Sequence, residues 1–153
     1  MNGTQNSPVA LSGDLLSAHS NGHRPRVLVV DDEAVIADTL AEILSLSGFP
    51  AIAAYDGNGA LGAALLQPPE MLITDVALPG MNGIDLAITV KRVYPDCKIL
   101  LFSGHASTAD LLATARSAGY QFTLLTKPVA PNELLATVAR NLNANAGQYA
   151  ADA

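Results

Sequence analysis

The stretch "RVLVVDDEAVIADTL", residues 26–40, decides the fold class of this chain. It begins with an uninterrupted aliphatic run, which is typical of a strand covered on both faces. Asp31, Asp32 and Glu33 follow this run directly, and apolar residues at three- and four-residue spacing then indicate a helix. We assign Glu33 to the first turn of that helix. A buried strand followed by a helix is one βα unit of a parallel sheet.

Four further apolar runs are each followed by a helical pattern in the same way. The predicted strands are residues 26–30, 50–55, 71–75, 98–102 and 122–126. The predicted helices begin near residues 35, 57, 84, 107 and 131, and end at Gly48, before Pro68, before Pro95, near Gly119 and near Leu142. Strands this apolar need helices on both faces, so we predict an α/β fold with a doubly wound five-stranded parallel sheet.

The two ends of the chain differ in composition from its middle. Residues 1–24 are rich in Asn, Ser, Gly and His, and residues 144–153 are small and polar. We expect a flexible N-terminal arm, a single domain over residues 25–143 and a flexible C-terminal tail. A length of 153 residues, half of them hydrophobic, suits one well-packed domain.

Charge and cysteine content exclude several classes of function. The net charge is −6 and the eight Lys and Arg residues are scattered, so we expect no direct binding of nucleic acid. Cys97 is the single cysteine and is expected to be a small buried residue. No apolar run approaches the ~18 residues of a membrane span, and no basic residue precedes Arg24. We therefore expect a cytoplasmic protein that does not associate with membranes.

Polar residues follow four of the five predicted strands. They are Asp31 and Asp32, Asp75, Ser103, and Thr126 with Lys127. Because ligands bind beyond the carboxyl ends of the strands in such sheets, we expect these side chains to converge. Taken singly, each has a structural alternative: the acids as helix caps or turn formers, Ser103 as a loop hydroxyl and Lys127 as a surface lysine.

Three carboxylates at one edge of a sheet need a cation. At about 5 Å and an effective dielectric near 20, each pair repels by roughly 3 kcal/mol. Mg²⁺ prefers such a partial shell of oxygen atoms, completed by waters and a phosphate. A carboxylate beside Mg²⁺ and a lysine is a plausible nucleophile toward phosphorus, and Asp75, after the central strand, is the best candidate. Ser103 and Lys127 are placed to contact phosphoryl oxygens.

Four motifs between Arg26 and Leu142 carry a family resemblance. They are "VLVVDDE", "LITDVALPGMNG", "ILLFSGHA" and "LLTKPVAPNELL". In this order and spacing the chain resembles the receiver domain of two-component response regulators, in particular the single-domain chemotaxis regulators. The resemblance implies a flavodoxin-like sheet with strand order 2-1-3-4-5.

The resemblance also implies a role for each matching residue. Asp75 would be the phosphoacceptor. Mg²⁺ would be bound directly by Asp32, through a water by Asp31, and also by Asp75 and the backbone carbonyl of Ala77. Ser103 would turn its hydroxyl toward the phosphoryl group and Lys127 would contact it. The neighbouring Gly104 would leave space for the phosphate, and the Lys127–Pro128 bond would be cis.

Three positions bear on how such a switch behaves. The family usually has Tyr or Phe where this chain has Leu124, and neither Phe122 nor Tyr120 is an evident replacement. Ala77 and His105 match positions that tune hydrolysis of the phosphoryl group. Ala77 offers no side chain to help an attacking water, and His105 is either a contact to the phosphate or partner, or an ordinary loop residue.

The resulting hypothesis is a stand-alone receiver that accepts a phosphoryl group from a histidine kinase or phosphotransfer protein. About ten residues follow the fifth predicted helix, so we expect no output domain and a signal passed to a downstream protein target. The resemblance implies that the face of helix four, strand five and helix five serves partners or a homodimer. Such a domain assists its own phosphorylation and dephosphorylation but is a signalling module rather than a metabolic enzyme.

Two alternatives remain open. A degenerate receiver would act as a phosphorylation-independent binding platform, which Leu124 favours. A small phosphohydrolase with an Asp nucleophile, resembling the haloacid dehalogenases, would carry a D-x-D pair after strand one, which "DDE" followed by Ala34 does not match.

Overall fold

A computed structural model describes residues 24–104 and 108–152, with side chains up to Asn143 except that of Thr108. The strands are β1 (Val27–Val30), β2 (Ala51–Ala54), β3 (Met71–Asp75), β4 (Lys98–Ser103) and β5 (Thr123–Thr126). The helices are α1 (Ala34–Leu46), α2 (Gly57–Leu66), α3 (Gly83–Val93), α4 (Thr108–Ser117) and α5 (Pro131–Asp152). Each predicted strand and helix is present, with ends shifted by one or two residues except at the end of α5.

The five strands form one parallel sheet in the order β2-β1-β3-β4-β5. This order confirms the predicted flavodoxin-like topology. Successive strands are added on one side of β1 and then on the other, so the strand order reverses between β1 and β3, and ligands bind in the crevice at the carboxyl ends of the strands at such a switch point.

Successive side chains of each central strand supply two cores. Leu28, Leu72 and Leu101 pack with α2, α3 and α4 on one face. Val29 and Ile73 pack with α1 and α5 on the other. Helices on both faces explain why strands β1 and β3 are buried along their whole length.

The helix ends follow the local sequence signals. Gly48 and Gly119 have positive φ angles of 97° and 95°, a conformation that glycine adopts without steric cost, after α1 and α4. Pro131 opens α5, where its missing N–H costs nothing. Glu33 is the N-cap residue of α1 rather than part of its first turn, a shift of one position.

The last helix is longer than predicted. It continues to Asp152, whereas the sequence pattern placed its end near Leu142. Alanines at four of residues 144–151 favour a helix, and the reading of this stretch as small and polar underweighted them. The predicted flexibility of residues 144–153 stays a prediction.

Several expectations lie outside the described residues. These are the N-terminal arm up to residue 23, the start of the fourth predicted helix near residue 107, and His105. Within the described parts of the chain, no helix is long and apolar enough to cross a membrane.

Candidate functional site

The sheet register brings the strand ends to one level. Thr74 pairs with Val30 across β3 and β1, and Ser103 pairs with Thr126 across β4 and β5. Asp75 is the last residue of β3, while Asp31 and Lys127 each follow their strand by one residue. The backbone N–H of Lys127 donates to the carbonyl of Ser103 over 2.9 Å, which continues the ladder into the site. The predicted convergence at the carboxyl ends of the strands is therefore present.

Lys127 bridges two carboxylates from different strands. Its Nζ lies 2.9 Å from Oδ2 of Asp75 and 3.0 Å from Oδ2 of Asp31. Asp31 is 0% exposed and Asp75 is 6% exposed, so both negative charges are held almost out of water. Charges buried to this extent are stable only when they are paired. The ammonium group is thus the fixed positive charge of the site.

The environment of Lys127 keeps it protonated. Partial burial opposes the charged form, but hydrogen bonds and charge attraction from Asp75 and Asp31 outweigh burial and raise the pKa of Lys127 above its usual value. The residue therefore carries its positive charge at neutral pH.

Backbone donors fix the second oxygen of each buried carboxylate. Oδ1 of Asp31 accepts from the N–H of Glu33 over 2.9 Å, and Oδ1 of Asp75 accepts from the N–H of Ala77 over 3.2 Å. Asp31 therefore holds the turn before α1 as well as contacting Lys127. The turn-forming role considered for it from the sequence is present alongside its place in the site. With both oxygens held, neither carboxylate rotates freely.

Three acids together form a site that could hold a metal ion. One carboxylate oxygen from each of Asp31, Asp32 and Asp75 lies within 4.8 Å of the other two. Asp32 is exposed while the other two are buried, so the cluster opens to solvent on one side. An all-oxygen donor set with an open side suits a hard cation that keeps several waters. The donor chemistry therefore fits the Mg²⁺ expected from the sequence.

The remaining predicted site residues surround this cluster. Ser103 is buried at the end of β4, and Gly104 follows it exposed. A Cβ on Gly104 would lie 3.8 Å from Cβ of Lys127, an ordinary contact, so packing alone does not demand glycine there. The bond between Lys127 and Pro128 is cis, as expected.

The position expected to carry an aromatic residue has a different environment. The Leu124 side chain is 36% exposed at the edge strand β5. Tyr120 and Phe122 stack on each other with ring centroids 5.9 Å apart and pack against the core beneath α2, α3 and α4. Both rings are occupied in packing, and their roles as replacements for an aromatic at Leu124 stay unsupported.

Sequence reasoning missed the importance of Gly83. An added Cβ at this residue would lie 2.0 Å from the backbone oxygen of Asp75 and 2.8 Å from its carbonyl carbon. The first residue of α3 therefore packs directly on the backbone of Asp75, and its N–H donates to the carbonyl of Val76 over 2.8 Å. The signal in the sequence was the second glycine of "LPGMNG", because a residue without a side chain permits close approach of two backbone segments.

Comparisons with known proteins give the family. The family model of the response regulator receiver domain matches residues 27–139. The DNA-binding response regulator MtrA of Mycolicibacterium paratuberculosis is 35% identical over 122 residues, covering 80% of this chain and 53% of that protein. MtrA of Mycobacterium tuberculosis has the same identity and is covered to 52%. This chain thus spans about half the length of the curated relatives it matches.

Solved structures agree. A CheY-like receiver domain protein from Methanospirillum hungatei superimposes with a TM-score of 0.74 at 25% identity, covering 82% of this chain and 99% of that one. The chemotaxis response regulator CheY4 of Vibrio cholerae gives a TM-score of 0.68 at 28% identity, with coverages of 78% and 99%. The chain therefore belongs to the response regulator receiver family, the phosphorylation-based signalling domains of two-component systems.

Proposed function

We propose that this chain is a stand-alone receiver that accepts a phosphoryl group on Asp75. The observation that carries the proposal is the placement of Asp75: its carboxylate touches Lys127 and belongs to the acidic cluster that could hold a metal. A nucleophile with a fixed cation on one side and a metal-binding set on the other is the arrangement that phosphoryl transfer requires. Receiver domains are signalling domains, and turnover of a metabolite is not part of the proposal.

In the proposed reaction a carboxylate oxygen of Asp75 attacks phosphorus and forms a new P–O bond. The bond between phosphorus and the imidazole nitrogen of a phosphohistidine breaks, and the leaving imidazole takes up a proton. The product is an acyl phosphate on Asp75. Lys127 already lies within hydrogen-bonding distance of this carboxylate, so it pairs with a phosphoryl oxygen after only a small movement.

Asp31, Asp32, Asp75 and the backbone carbonyl of Ala77 would hold Mg²⁺. When bound, the ion neutralises charge on the transferring phosphoryl oxygens. The chain's own contribution is to pre-position the acids: Oδ1 of Asp31 is held by the N–H of Glu33, and Oδ1 of Asp75 by the N–H of Ala77. We assign Asp32, the exposed member, as a direct ligand because it needs no rearrangement of the core to meet a solvated ion.

Ser103 is proposed to hydrogen-bond a phosphoryl oxygen. It ends β4, the strand between those that supply Asp75 and Lys127, and its backbone carbonyl accepts from Lys127. This neighbouring position supports a short movement of the hydroxyl toward Asp75. The next residue, Gly104, presents no side chain to block it.

The phosphodonor is proposed to be a histidine kinase or a phosphotransfer protein that docks beside α1. Val35 in the first turn of α1 is 78% exposed, so its side chain is available to a docking partner. A cavity of about 460 Å³ lies next to it, lined by Ile36, Leu40, Phe102, Lys127, Pro128 and Val129. Apolar surface that reaches Lys127 lets a partner helix bring its phosphohistidine to the site without losing contact area.

Output is proposed to pass through contact with a protein target. The matched relatives are named DNA-binding response regulators, and they are about twice the matched length. The basic residues of this chain form no stripe, which supports protein contact over DNA contact here.

Mass spectrometry of the intact protein tests phosphorylation. Incubation with Mg²⁺ and acetyl phosphate is expected to add roughly 80 Da for one phosphoryl group, and Asp75→Asn is expected to abolish the addition. Asp110→Asn, an exposed acid on α4, is the matched control and should retain it. An adduct that survives Asp75→Asn would contradict the assignment of the acceptor.

A second candidate function is a binding platform that needs no phosphorylation. The half-exposed Leu124 at the aromatic position favours it, because an aliphatic side chain lacks the ring that reports the state of the hydroxyl residue. Absence of any adduct in the wild-type chain, together with unchanged target binding by Asp75→Asn, would favour this function. Steady release of phosphate from a monoester would instead favour a phosphohydrolase.

A further inference from the structure

The end of the sheet opposite the phosphorylation site carries uncovered apolar side chains. In a doubly wound fold the helices run back to the level at which the strands begin. Leu46 at the end of α1 is 81% exposed, and Leu66 at the end of α2 is 85% exposed. Leu65 is also exposed, and so is Ile52 on the edge strand β2. Large apolar side chains left exposed at one end of a domain are available for a contact.

Ile52 also lines a groove at this end of the sheet. A cavity of about 260 Å³ lies between the beginnings of β1 and β2 and the end of α2. Its lining includes Arg26, Pro50, Ile52, Ala63, Gln67 and Pro69. The lining is mainly apolar, with Arg26, Ser45 and Gln67 as its polar residues, which suits a short amphipathic segment.

The N-terminal segment is attached at this groove. The Arg26 N–H donates to Oε1 of Glu70 over 2.8 Å, its carbonyl accepts from the N–H of Glu70 over 2.9 Å, and its guanidinium donates to the carbonyl of Pro68 over 2.8 Å. The point at which residues 1–23 join the domain is therefore fixed beside the groove. Nε of Arg26 is buried without a hydrogen-bond partner among the described residues, so an acceptor brought to this place would be stabilising.

The segment has the composition to fill the groove. Val9, Leu11, Leu15 and Leu16 are aliphatic in an otherwise polar stretch, and Leu11 and Leu15 share a helical spacing of four. Residues 17–23 separate Leu16 from Arg24 and can span up to roughly 25 Å. The tether is thus long enough to return to a groove at its own root, and attachment in the same chain gives a high effective concentration.

We propose that residues 9–16 bind in this groove of their own domain and cover Ile52 and the end of α2. The contact lies at the end of the sheet away from Asp75, so it is independent of the proposed phosphorylation chemistry. It gives the N-terminal segment a defined place on the domain.

Paramagnetic relaxation in the full chain tests the proposal. A nitroxide is attached at Ala18→Cys in a Cys97→Ala background, and the backbone amides of the ¹⁵N-labelled protein are recorded. The amides of Ile52 and Gln67 are expected to broaden strongly, whereas those of Gly104 and Thr126 at the opposite end of the sheet stay sharp. Equal broadening at both ends, or none at either, would overturn the proposal.

Matched variants of the N-terminal segment distinguish docking in the groove from mere closeness of the tethered nitroxide to it. Leu15→Asp with Leu16→Asp should restore the Ile52 and Gln67 signals several-fold, whereas Ser17→Asp with Ser20→Asp adds the same charge and should leave them broadened. Both pairs lie outside residues 27–139, which match the receiver family model, so both variants are expected to keep the fold of the domain. Broadening that persists with the leucines replaced would contradict docking. A second experiment mixes ¹⁴N protein that carries the nitroxide with ¹⁵N-labelled protein that carries none. Broadening in this mixture would reveal a second copy as the occupant and overturn the intramolecular contact.

Discussion

Nζ of Lys127 lies 2.9 Å from Oδ2 of Asp75, although 52 residues separate them in the chain. The same nitrogen also reaches Asp31, so one cation pairs with two buried carboxylates. Each carboxylate would be costly to bury alone, and the lysine therefore holds the site together before any phosphoryl group arrives.

Removing the positive charge of Lys127 should destabilise the fold, and added Mg²⁺ should reduce this loss of stability. Lys127→Met leaves Asp31 and Asp75 buried and unpaired, and we expect a loss of about 1–3 kcal/mol in the free energy of unfolding, after allowing for the partial exposure of the lysine. Urea denaturation with EDTA and with Mg²⁺ measures the effect, which should be smaller with Mg²⁺ present.

The exposed Arg116 on α4 provides the control for charge alone. Arg116→Met should change stability by no more than about 0.5 kcal/mol. Equal losses for the two variants would show that Lys127 has no special part in pairing the buried acids.

Replacing Asp32 should have the opposite effect to replacing Lys127: in the absence of metal it should stabilise the fold. It is the exposed member of the acidic cluster, so Asp32→Asn removes repulsion without breaking the bridge to Lys127. We expect the free energy of unfolding in EDTA to rise by up to about 1 kcal/mol. The stabilisation gained on adding Mg²⁺ should shrink, because stabilisation by a ligand that binds the native state falls as its affinity falls.

Thermal denaturation over a Mg²⁺ titration measures both effects for Asp32→Asn. Asp110→Asn, which lies outside the cluster, should match the wild type throughout. A wild-type response to Mg²⁺ in Asp32→Asn would remove Asp32 from the set of metal ligands.

The sequence was sufficient to predict the sheet and the edge at which the site forms. Short aliphatic runs such as residues 27–30, each followed by a helical pattern, indicate strands covered on both faces, and parallel strands bring their carboxyl ends to one edge. Residues placed directly after such strands, as Asp31 and Lys127 are, are therefore predicted to lie at that edge. Its position after the central strand made Asp75 the best candidate nucleophile, and the family resemblance implies the same residue as phosphoacceptor.

The features that the sequence could not predict depend on contacts between distant elements. That Lys127 reaches Asp31 as well as Asp75 follows from the positions of three strands, and no local pattern encodes it. The approach of Gly83 to the backbone of Asp75 is likewise a packing distance between α3 and β3. The length of α5 was missed because the helix-favouring alanines among residues 144–151 were given less weight than the polar residues between them.

Replacing Gly83 by a residue with a side chain should destabilise the fold. In Gly83→Ala the new Cβ would overlap the carbonyl group of Asp75, so either α3 or the end of β3 must move. We expect a loss of about 1–3 kcal/mol or more in the free energy of unfolding, as for other overpacked positions. Because the movement displaces Asp75, the rate of phosphorylation by acetyl phosphate should also fall.

Gly62, in the interior of α2, is the matched control because a Cβ there meets nothing within 4 Å. Gly62→Ala should stabilise the protein by about 0.5–1 kcal/mol, since alanine loses less conformational freedom in a helix. Chemical denaturation and the intact-mass assay read both variants. Wild-type stability in Gly83→Ala would mean that α3 and β3 are further apart than described.

Cys97 should be unreactive in the native protein and should make stability depend on alkaline pH. Burial raises the pKa of its thiol to about 12 from an ordinary value of 9.0, with Lys91 opposing the shift and Glu70 adding to it. Between these two values the unfolded chain releases the thiol proton and the native chain keeps it. The stabilising contribution is therefore complete below about pH 9 and declines as pH rises toward 12. Comparing the pH dependence of urea unfolding in wild type and Cys97→Ala isolates this contribution from lysine and tyrosine titration.

Iodoacetamide at pH 8 should modify the wild type far more slowly in buffer than in urea, since the thiolate is the nucleophile. Rapid alkylation without urea, or identical alkaline profiles for the two proteins, would contradict a buried neutral thiol.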